Sequence, residues 1–301
     1  MKVIFFGLGS IGKRHLMNLF AYGDEHSVNF DISAFTSSGN QEFPEIKYIE
    51  KKEQLDEHYD LAFITNPTFK HFETLELIGN KANFIFMEKP VFSKSIQLDS
   101  KLRSKKNIYV AAPLRYKKIM DVARKQITDI EVFSGRVICS TYLPDWRKNV
   151  DYRKNYSAFR DMGGGVELDC IHELDYVTNL FGFPSQVKKQ FGKFSNLEIE
   201  SNDLATYLLI YEDKILEVHL DYFGKKPKRE FELFTELGII KVDLLNNMIS
   251  VNGVVIDQEN EDSNEMYQRE LCYFLEEVVA NENNWNDLNH ANEVLKIAEE
   301  I

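Results

Sequence analysis

Apolar and polar positions alternate in two different textures along the chain. In the first third, short apolar runs at residues 3–6, 32–35, 61–64, 84–86 and 108–112 are separated by helix-length segments at 13–22, 71–80 and 95–105. Short apolar strands alternating with helices predict a parallel sheet covered on both faces, the doubly wound arrangement. Beyond about residue 115 the pattern predicts a helix at 118–126, a strand at 131–142, a polar aromatic loop and a glycine-led helix at 166–180. Strands at 205–211, 215–222, 231–235 and 238–244 then follow one another through short turns, which predicts an antiparallel meander. Helices at 263–280 and 287–300 close the chain. The expected class is α/β: a Rossmann domain over 1–117, then an α+β domain over 118–301 with a large, mainly antiparallel sheet. No internal repeat and no low-complexity linker marks the boundary, which is soft near 115–120.

A glycine-rich turn, Gly7-Leu8-Gly9-Ser10-Ile11-Gly12, joins the first strand to the first helix. In such a turn the first glycine permits the tight bend, the second lets backbone approach a pyrophosphate, and the third allows close helix-strand packing. Gly7, Gly9, Ser10, Ile11 and Gly12 are therefore candidate dinucleotide contacts, with amides at the helix start facing the phosphates. The second strand ends Ala34-Phe35-Thr36-Ser37-Ser38 and offers no acid for ribose hydroxyls, and Asp31 lies too early to serve. Thr36, Ser37 and Ser38, with help from Lys13 or Arg14, suit a 2'-phosphate, which favours NADP over NAD. Thr65, Asn66 and Pro67 end the next strand at the same carboxyl edge, where open α/β sheets bind ligands, and His71 opens the helix that follows.

Two further segments carry candidate chemistry. Glu88-Lys89-Pro90 follows the strand at 84–86. There Lys89 can bond a substrate oxygen, Pro90 can adopt a cis bond, and Glu88 joins the cofactor contacts. In Gly163-Gly164-Gly165-Val166-Glu167-Leu168-Asp169-Cys170-Ile171-His172, three glycines allow close backbone approach to a ligand. Asp169 and His172, three apart, share one side of the expected helix, so the carboxylate can orient an imidazole that gives or takes a proton. A metal site using His219 is the weaker alternative, and none is expected. Upstream, Trp146, Arg147, Tyr152, Arg153 and Tyr156 interleave rings and cations, a composition suited to a polyhydroxylated or anionic ligand.

GLGSIGKRH, TNPTFKH, MEKP and GGGVELDCIHELDY, in this order and spacing over nearly the whole chain, resemble the Gfo/Idh/MocA oxidoreductases. The resemblance implies that Lys89 and His172 form the polar catalytic pair, that Asp169 assists, and that Arg115 lies beside the nicotinamide and the substrate. It also implies a homodimer or homotetramer formed through the second-domain sheet. The common family pattern sets the histidine four residues after the aspartate. The spacing of three here looks like a subgroup associated with bacterial surface-polysaccharide and acidic-sugar biosynthesis.

Composition narrows the remaining classes. With 44% hydrophobic and 28% charged residues the chain reads as globular and soluble, and a formal charge of -12 argues against nucleic-acid or anionic-membrane partners. Cys139, Cys170 and Cys272 are odd in number and widely spaced, so buried free thiols are expected rather than a disulfide framework or a zinc site. Six residues before the first glycine are too few for a secretory h-region, and a cytoplasmic protein is expected. The expected function is hydride transfer between NAD(P) and a secondary alcohol or ketone of a sugar-like small molecule. A non-catalytic dinucleotide-binding sensor of the same fold is the alternative.

Overall fold

The computed structural model describes residues 1–36, 41–147 and 150–299. The chain divides into two compact units, one of Met1–Ala111 with Tyr267–Glu293, the other of Ala112–Met266 with the chain from Val294 onward.

In the first unit, β1 (Lys2–Phe6), β2 (Asp31–Phe35), β3 (Lys47–Ile49), β4 (Tyr59–Ile64), β5 (Ala82–Met87) and β6 (Ile108–Val110) build an all-parallel sheet. Its order is β3-β2-β1-β4-β5-β6, the doubly wound sheet that the alternating pattern predicts. Chain leaves β1 for β2 on one side and returns to β4 on the other, so the loops after β1 and β4 diverge at the carboxyl edge and open a crevice there. Val3 to Phe6 and Leu61 to Ile64 are almost fully buried, as strands covered on both faces must be. Phe5 stacks on Phe63 with ring centroids 4.5 Å apart. Part of the cover comes from late in the sequence: Phe274 stands edge-on to Phe86 at 5.3 Å and to Phe63 at 5.9 Å. Asn286 clamps β6 by donating to and accepting from the Val110 backbone.

Among the described residues of its first segment, Met1–Ala111, the α-helices are α1 (Ser10–His26), α2 (His71–Ile78) and α3 (Ser100–Arg103). The helix expected over 95–105 shrinks to one turn for a local reason. The Asn292 side chain takes both the N–H and the C=O of Ile96, holding that stretch out of helical geometry, and Asp99 then caps a short helix through Leu102 N–H at 2.7 Å.

In the second unit, β7 (Val132–Tyr142), β8 (Gln186–Gly192), β9 (Leu204–Ile210), β10 (Ile215–Asp221), β11 (Phe223–Thr235), β12 (Gly238–Asp243), β13 (Met248–Val251) and β14 (Val254–Gln258) form one large sheet. The order is β14-β13-β12-β11-β7-β10-β9-β8. It is mainly antiparallel, as expected, but the expected simple meander is corrected. β7, long enough to pair seven residues with β10 in parallel and to run antiparallel to β11, wedges between those two strands. α4 (Lys118–Ile127) packs near β13 and β14. The expected continuous helix at 166–180 is two helices, α5 (Val166–Asp169) and α6 (His172–Phe181), separated at Cys170, whose backbone leaves helical geometry at φ -98 and ψ 30. Among the described residues no helix is long and apolar enough to cross a membrane.

Candidate active site

All strands of the first sheet run the same way, so the segments following β1, β2, β4 and β5 share one edge. At that edge Gly9 is the N-cap of α1 and offers no side chain to bond the first-turn amides, and the first helical bond runs from Lys13 N–H to Gly9 O. The N–H groups of the first turn therefore lack intrahelical partners. The glycines around them differ in kind. A Cβ at Gly12 would overlap the Gly7 carbonyl oxygen and lie 2.8 Å from Thr65 Oγ1, so this position is closed by the protein's own packing. A Cβ at Gly9 would meet no described atom within 4 Å, and the backbone there, at φ -70, suits any residue. The free space in front of Gly9 and the first-turn amides behind it, which lack intrahelical partners, form a cradle that fits a pyrophosphate.

Thr65 ties β4 to this turn, donating from Oγ1 to Gly7 O at 2.6 Å. Asn66 donates to Thr74 Oγ1 at 2.8 Å, and its own carbonyl meets His71 Nε2 at 2.9 Å. His71, 1% exposed, also meets Val91 O through Nδ1 at 3.2 Å, so its place is inside the scaffold, tying two loops together. Burial pushes the His71 pKa down, against the pull of those carbonyls. Beside the end of β2 lies a cavity of about 240 Å³ lined by Gly7, Thr36, Lys52, Asn66, Pro67 and Lys70, among others. Ser37 and Ser38 lie outside the described residues. Lys13 is drawn to Glu42, and Arg14 lies over the Tyr267 ring at 4.5 Å. Lys52, paired with Glu73 at 2.9 Å, and Lys70 are the cations that line the cavity, and sequence reasoning did not single them out.

After β5, the buried Glu88 carboxylate accepts from His15 Nε2 at 2.6 Å and from Lys89 N–H at 3.1 Å. His15, fully buried on α1, lies against Phe86 and Tyr267. Burial works to raise the Glu88 pKa, but the His15 hydrogen bond, the imidazole charge and Lys89 outweigh it and hold the carboxyl below its ordinary range. The helix that begins at the glycine turn thereby fixes the residue preceding Lys89. The Lys89–Pro90 peptide bond is cis, and the Lys89 side chain is half-buried.

In the second unit, Asp169 is 8% exposed and accepts from two phenols, Tyr222 OH at 2.5 Å and Tyr156 OH at 2.9 Å. Burial and the adjacent carboxylate push both tyrosine pKa values up, which keeps these phenols protonated as donors. Trp146 stands edge-on to Tyr222 at 5.4 Å, and Arg147 lies 6.0 Å from the Tyr156 ring. Trp146, Arg147 and Tyr156 thus gather around Asp169, at the turn that leads into half-buried His172. Tyr152 and Arg153 belong to a separate cluster: Arg153 binds Asp151 at 2.8 Å and Glu198 at 2.9 Å, and Tyr152 OH accepts from Glu198 N–H. Arg115, 2% exposed, is held by both oxygens of Asp175 at 2.6 Å. The glycine-led turn approaches the chain itself, since a Cβ at Gly164 would lie 2.7 Å from the carbonyl oxygens of Ser157 and Phe159.

A sequence-level signal exists for one of these partners. His15 shares the buried stripe of α1 with Gly12, Leu16 and Leu19, and an imidazole in an apolar stripe requires a buried polar mate. Tyr222, at the bend between β10 and β11, carries no comparable mark.

No protein-family model matches the chain, and no curated protein matches its sequence. Solved structures do match. A levoglucosan dehydrogenase in complex with NADH and L-sorbose aligns over 99% of this chain and 94% of its own, at TM-score 0.83 and 13% identity. UDP-N-acetylglucosamine 3-dehydrogenase from Acidithiobacillus ferrooxidans aligns over 99% and 95%, at TM-score 0.75 and 17% identity. A biliverdin reductase from Synechocystis, in complex with biliverdin and NADP+, aligns over 99% and 96%, at TM-score 0.75 and 16% identity. The likeness is one of fold: this chain has the fold that the two dehydrogenases and the reductase share, a Rossmann-type parallel sheet and a second, large and mainly antiparallel one.

Proposed function

We propose that the protein is a nicotinamide-dependent oxidoreductase that interconverts a secondary alcohol and a ketone on a sugar or sugar derivative. The observation that carries this reading is the open cradle at Gly9, backed by the uncapped start of α1, with Lys89 on the same sheet edge. The motif resemblance to Gfo/Idh/MocA oxidoreductases and the shared fold with two sugar dehydrogenases support it.

When bound, the nicotinamide supplies or accepts the hydride. The chain's own groups handle the oxygen and its proton. Lys89 donates a hydrogen bond to the reacting oxygen, and its backbone is steadied by Glu88 and His15. His172 takes the hydroxyl proton during oxidation and returns it during reduction. Asp169, fixed by two phenols, steadies the turn that carries His172. Trp146, Arg147 and Tyr156 receive the sugar, with rings against its apolar face and the guanidinium on an anionic substituent.

Within this reading NADP is favoured over NAD, because β2 ends without an acid while Lys52 and Lys70 line the adjoining cavity. The first unit binds the dinucleotide and the second binds the substrate. Assembly as a cytoplasmic homo-oligomer through the outer face of the large sheet belongs to the same proposal.

The test is a titration of purified protein with NADPH and NADH by fluorescence, followed by turnover on a panel of free and nucleotide-linked sugars. Lys89→Ala and His172→Asn should each lower turnover by roughly 10²- to 10⁴-fold while dinucleotide affinity stays near wild type. Tight dinucleotide binding with no turnover on any substrate would instead favour a sensor.

A further inference from the structure

Behind the Asp169 turn, two buried side chains take no part in the chemistry proposed above. Cys139 on β7 and Cys170 between α5 and α6 are 2% and 1% exposed, with sulfurs 3.6 Å apart. Arg229 on β11 donates to Cys139 Sγ at 3.2 Å, and its Nε lies 2.9 Å from the buried Glu173 carboxylate. We infer that Cys139 and Cys170 are a redox modification site, closing reversibly to a disulfide that displaces the turn carrying Asp169 and His172.

The geometry favours this pair over its alternatives. A disulfide needs about 2.05 Å between sulfurs, so closure requires an approach of about 1.5 Å, within reach of side-chain rotation and a small backbone shift. Cys139, Cys170 and Glu173 also lie close enough together to share a metal ion. Arg229, however, already sets a cation between Glu173 and Cys139, and a divalent ion there would face that charge. The same cation suits a thiolate. Contact with Cys170 draws the Cys139 pKa down, burial opposes this, and the Arg229 charge adds to the lowering, while Cys170 is pushed up. The guanidinium beside Cys139 thus favours a thiolate on that sulfur over Cys170, the polarity that thiol oxidation uses.

The oxidant is a hydroperoxide. The Cys139 thiolate attacks the peroxide oxygen, the O–O bond breaks, and the leaving oxygen takes a proton, giving a sulfenic acid and water or an alcohol. Cys170 then attacks that sulfur. The S–O bond breaks, water leaves with the Cys170 proton, and the S–S bond forms. The two sulfurs together lose the two electrons that the peroxide gains, and a dithiol reductant reverses the change by exchange. Burial slows entry of the oxidant and, with Cys170 adjacent, leaves the sulfenic acid little chance of further oxidation. Cys170 is one residue from Asp169 and two from His172, so drawing its sulfur toward β7 moves both.

The effect on turnover rests on the proposed oxidoreductase function, whereas formation of the disulfide does not. Reduced protein is treated with hydrogen peroxide and compared by intact mass, by thiol titration in denaturant and by non-reducing peptide mapping. The expected result is a loss of two hydrogen atoms, a fall from three titratable thiols to one, and a Cys139–Cys170 cross-link. Cys272→Ser should still form the cross-link, and Cys139→Ser should not. Turnover should fall roughly a hundredfold in oxidised wild type, since a misplacement of about 1 Å costs that much, and return with dithiothreitol. Three surviving thiols, addition of oxygen at Cys139, a cross-link through Cys272, or copurifying zinc would each overturn the site. A disulfide that leaves turnover unchanged would overturn its control of the turn. If neither redox state turns over any substrate, the oxidoreductase reading falls, and mass and mapping still decide the disulfide.

Discussion

Gly9 and Gly12 lie three residues apart in one turn, yet their replacement by alanine should have opposite consequences. At Gly12 the new methyl would collide with the Gly7 carbonyl and crowd Thr65 Oγ1, and backbone cannot yield as a flexible side chain does. Overpacking of this kind costs about 1–3 kcal/mol, enough to lower the urea midpoint clearly. At Gly9 the methyl enters open space from an ordinary backbone conformation. Stability should stay within about 0.5 kcal/mol of wild type, because alanine's restriction of the unfolded chain is offset by its poorer performance at a helix N-cap. The same methyl occupies the cradle. Forcing a pyrophosphate away from one amide forfeits a charge-assisted hydrogen bond of about 1.5–3 kcal/mol, which weakens the dissociation constant roughly 10- to 150-fold. Urea unfolding and NADPH fluorescence titration on the two variants separate these effects. Wild-type affinity in Gly9→Ala would refute the placement of the phosphates, and a stability loss equal to that of Gly12→Ala would refute the packing argument.

Asp175→Ala removes the carboxylate that grips the buried Arg115 and should cost about 3–5 kcal/mol in urea unfolding. A drop in turnover at unchanged stability would show instead that Arg115 works on a ligand. Burial depresses the His71 pKa, so the unfolded chain binds the proton more readily and stability should fall as pH drops through the ordinary imidazole range near 6.5. One proton limits the slope to about 1.4 kcal/mol per pH unit, and His71→Gln should flatten the curve measured between pH 7.5 and 5 at this site. Lys70→Ala should weaken NADPH by about tenfold while leaving NADH unchanged, and equal losses for both would remove Lys70 from phosphate recognition.

The parallel sheet was legible because strands buried on both faces are written as unbroken apolar runs, and the turn at Gly7 to Gly12 because its glycine spacing is restrictive. β8 escaped notice for the opposite reason. As an edge strand it reads Gln-Val-Lys-Lys-Gln-Phe-Gly, with only Phe191 buried, so little apolar alternation marks it. The insertion of β7 between β10 and β11 is a pairing of residues about eighty apart, on which periodicity is silent. Lys89, Asp169 and His172 stood out by residue type and position. Of their supports, Tyr156 stood out as a ring among cations and His15 is marked by its place in a buried stripe, but Tyr222 did not, because a hydrogen bond across 53 residues leaves no local trace. The break at Cys170 belongs to the same class: helical periodicity continues through it, and only the approach of a sulfur from β7 distinguishes the spot.

Phe274 and Asn286, which cover and clamp the parallel sheet, are translated long after its last strand. About 155 residues, from Ala112 to Met266, intervene between the two parts of the first unit. At roughly 5–20 residues per second the ribosome needs about 8–30 s to deliver the missing piece, during which Phe63 and Phe86 lack part of their cover. An amino-terminal fragment ending near residue 117 would remain in that condition permanently, offering an aromatic face to other chains. Nascent protein of this design therefore keeps an aggregation-prone aromatic face uncovered until synthesis is almost complete.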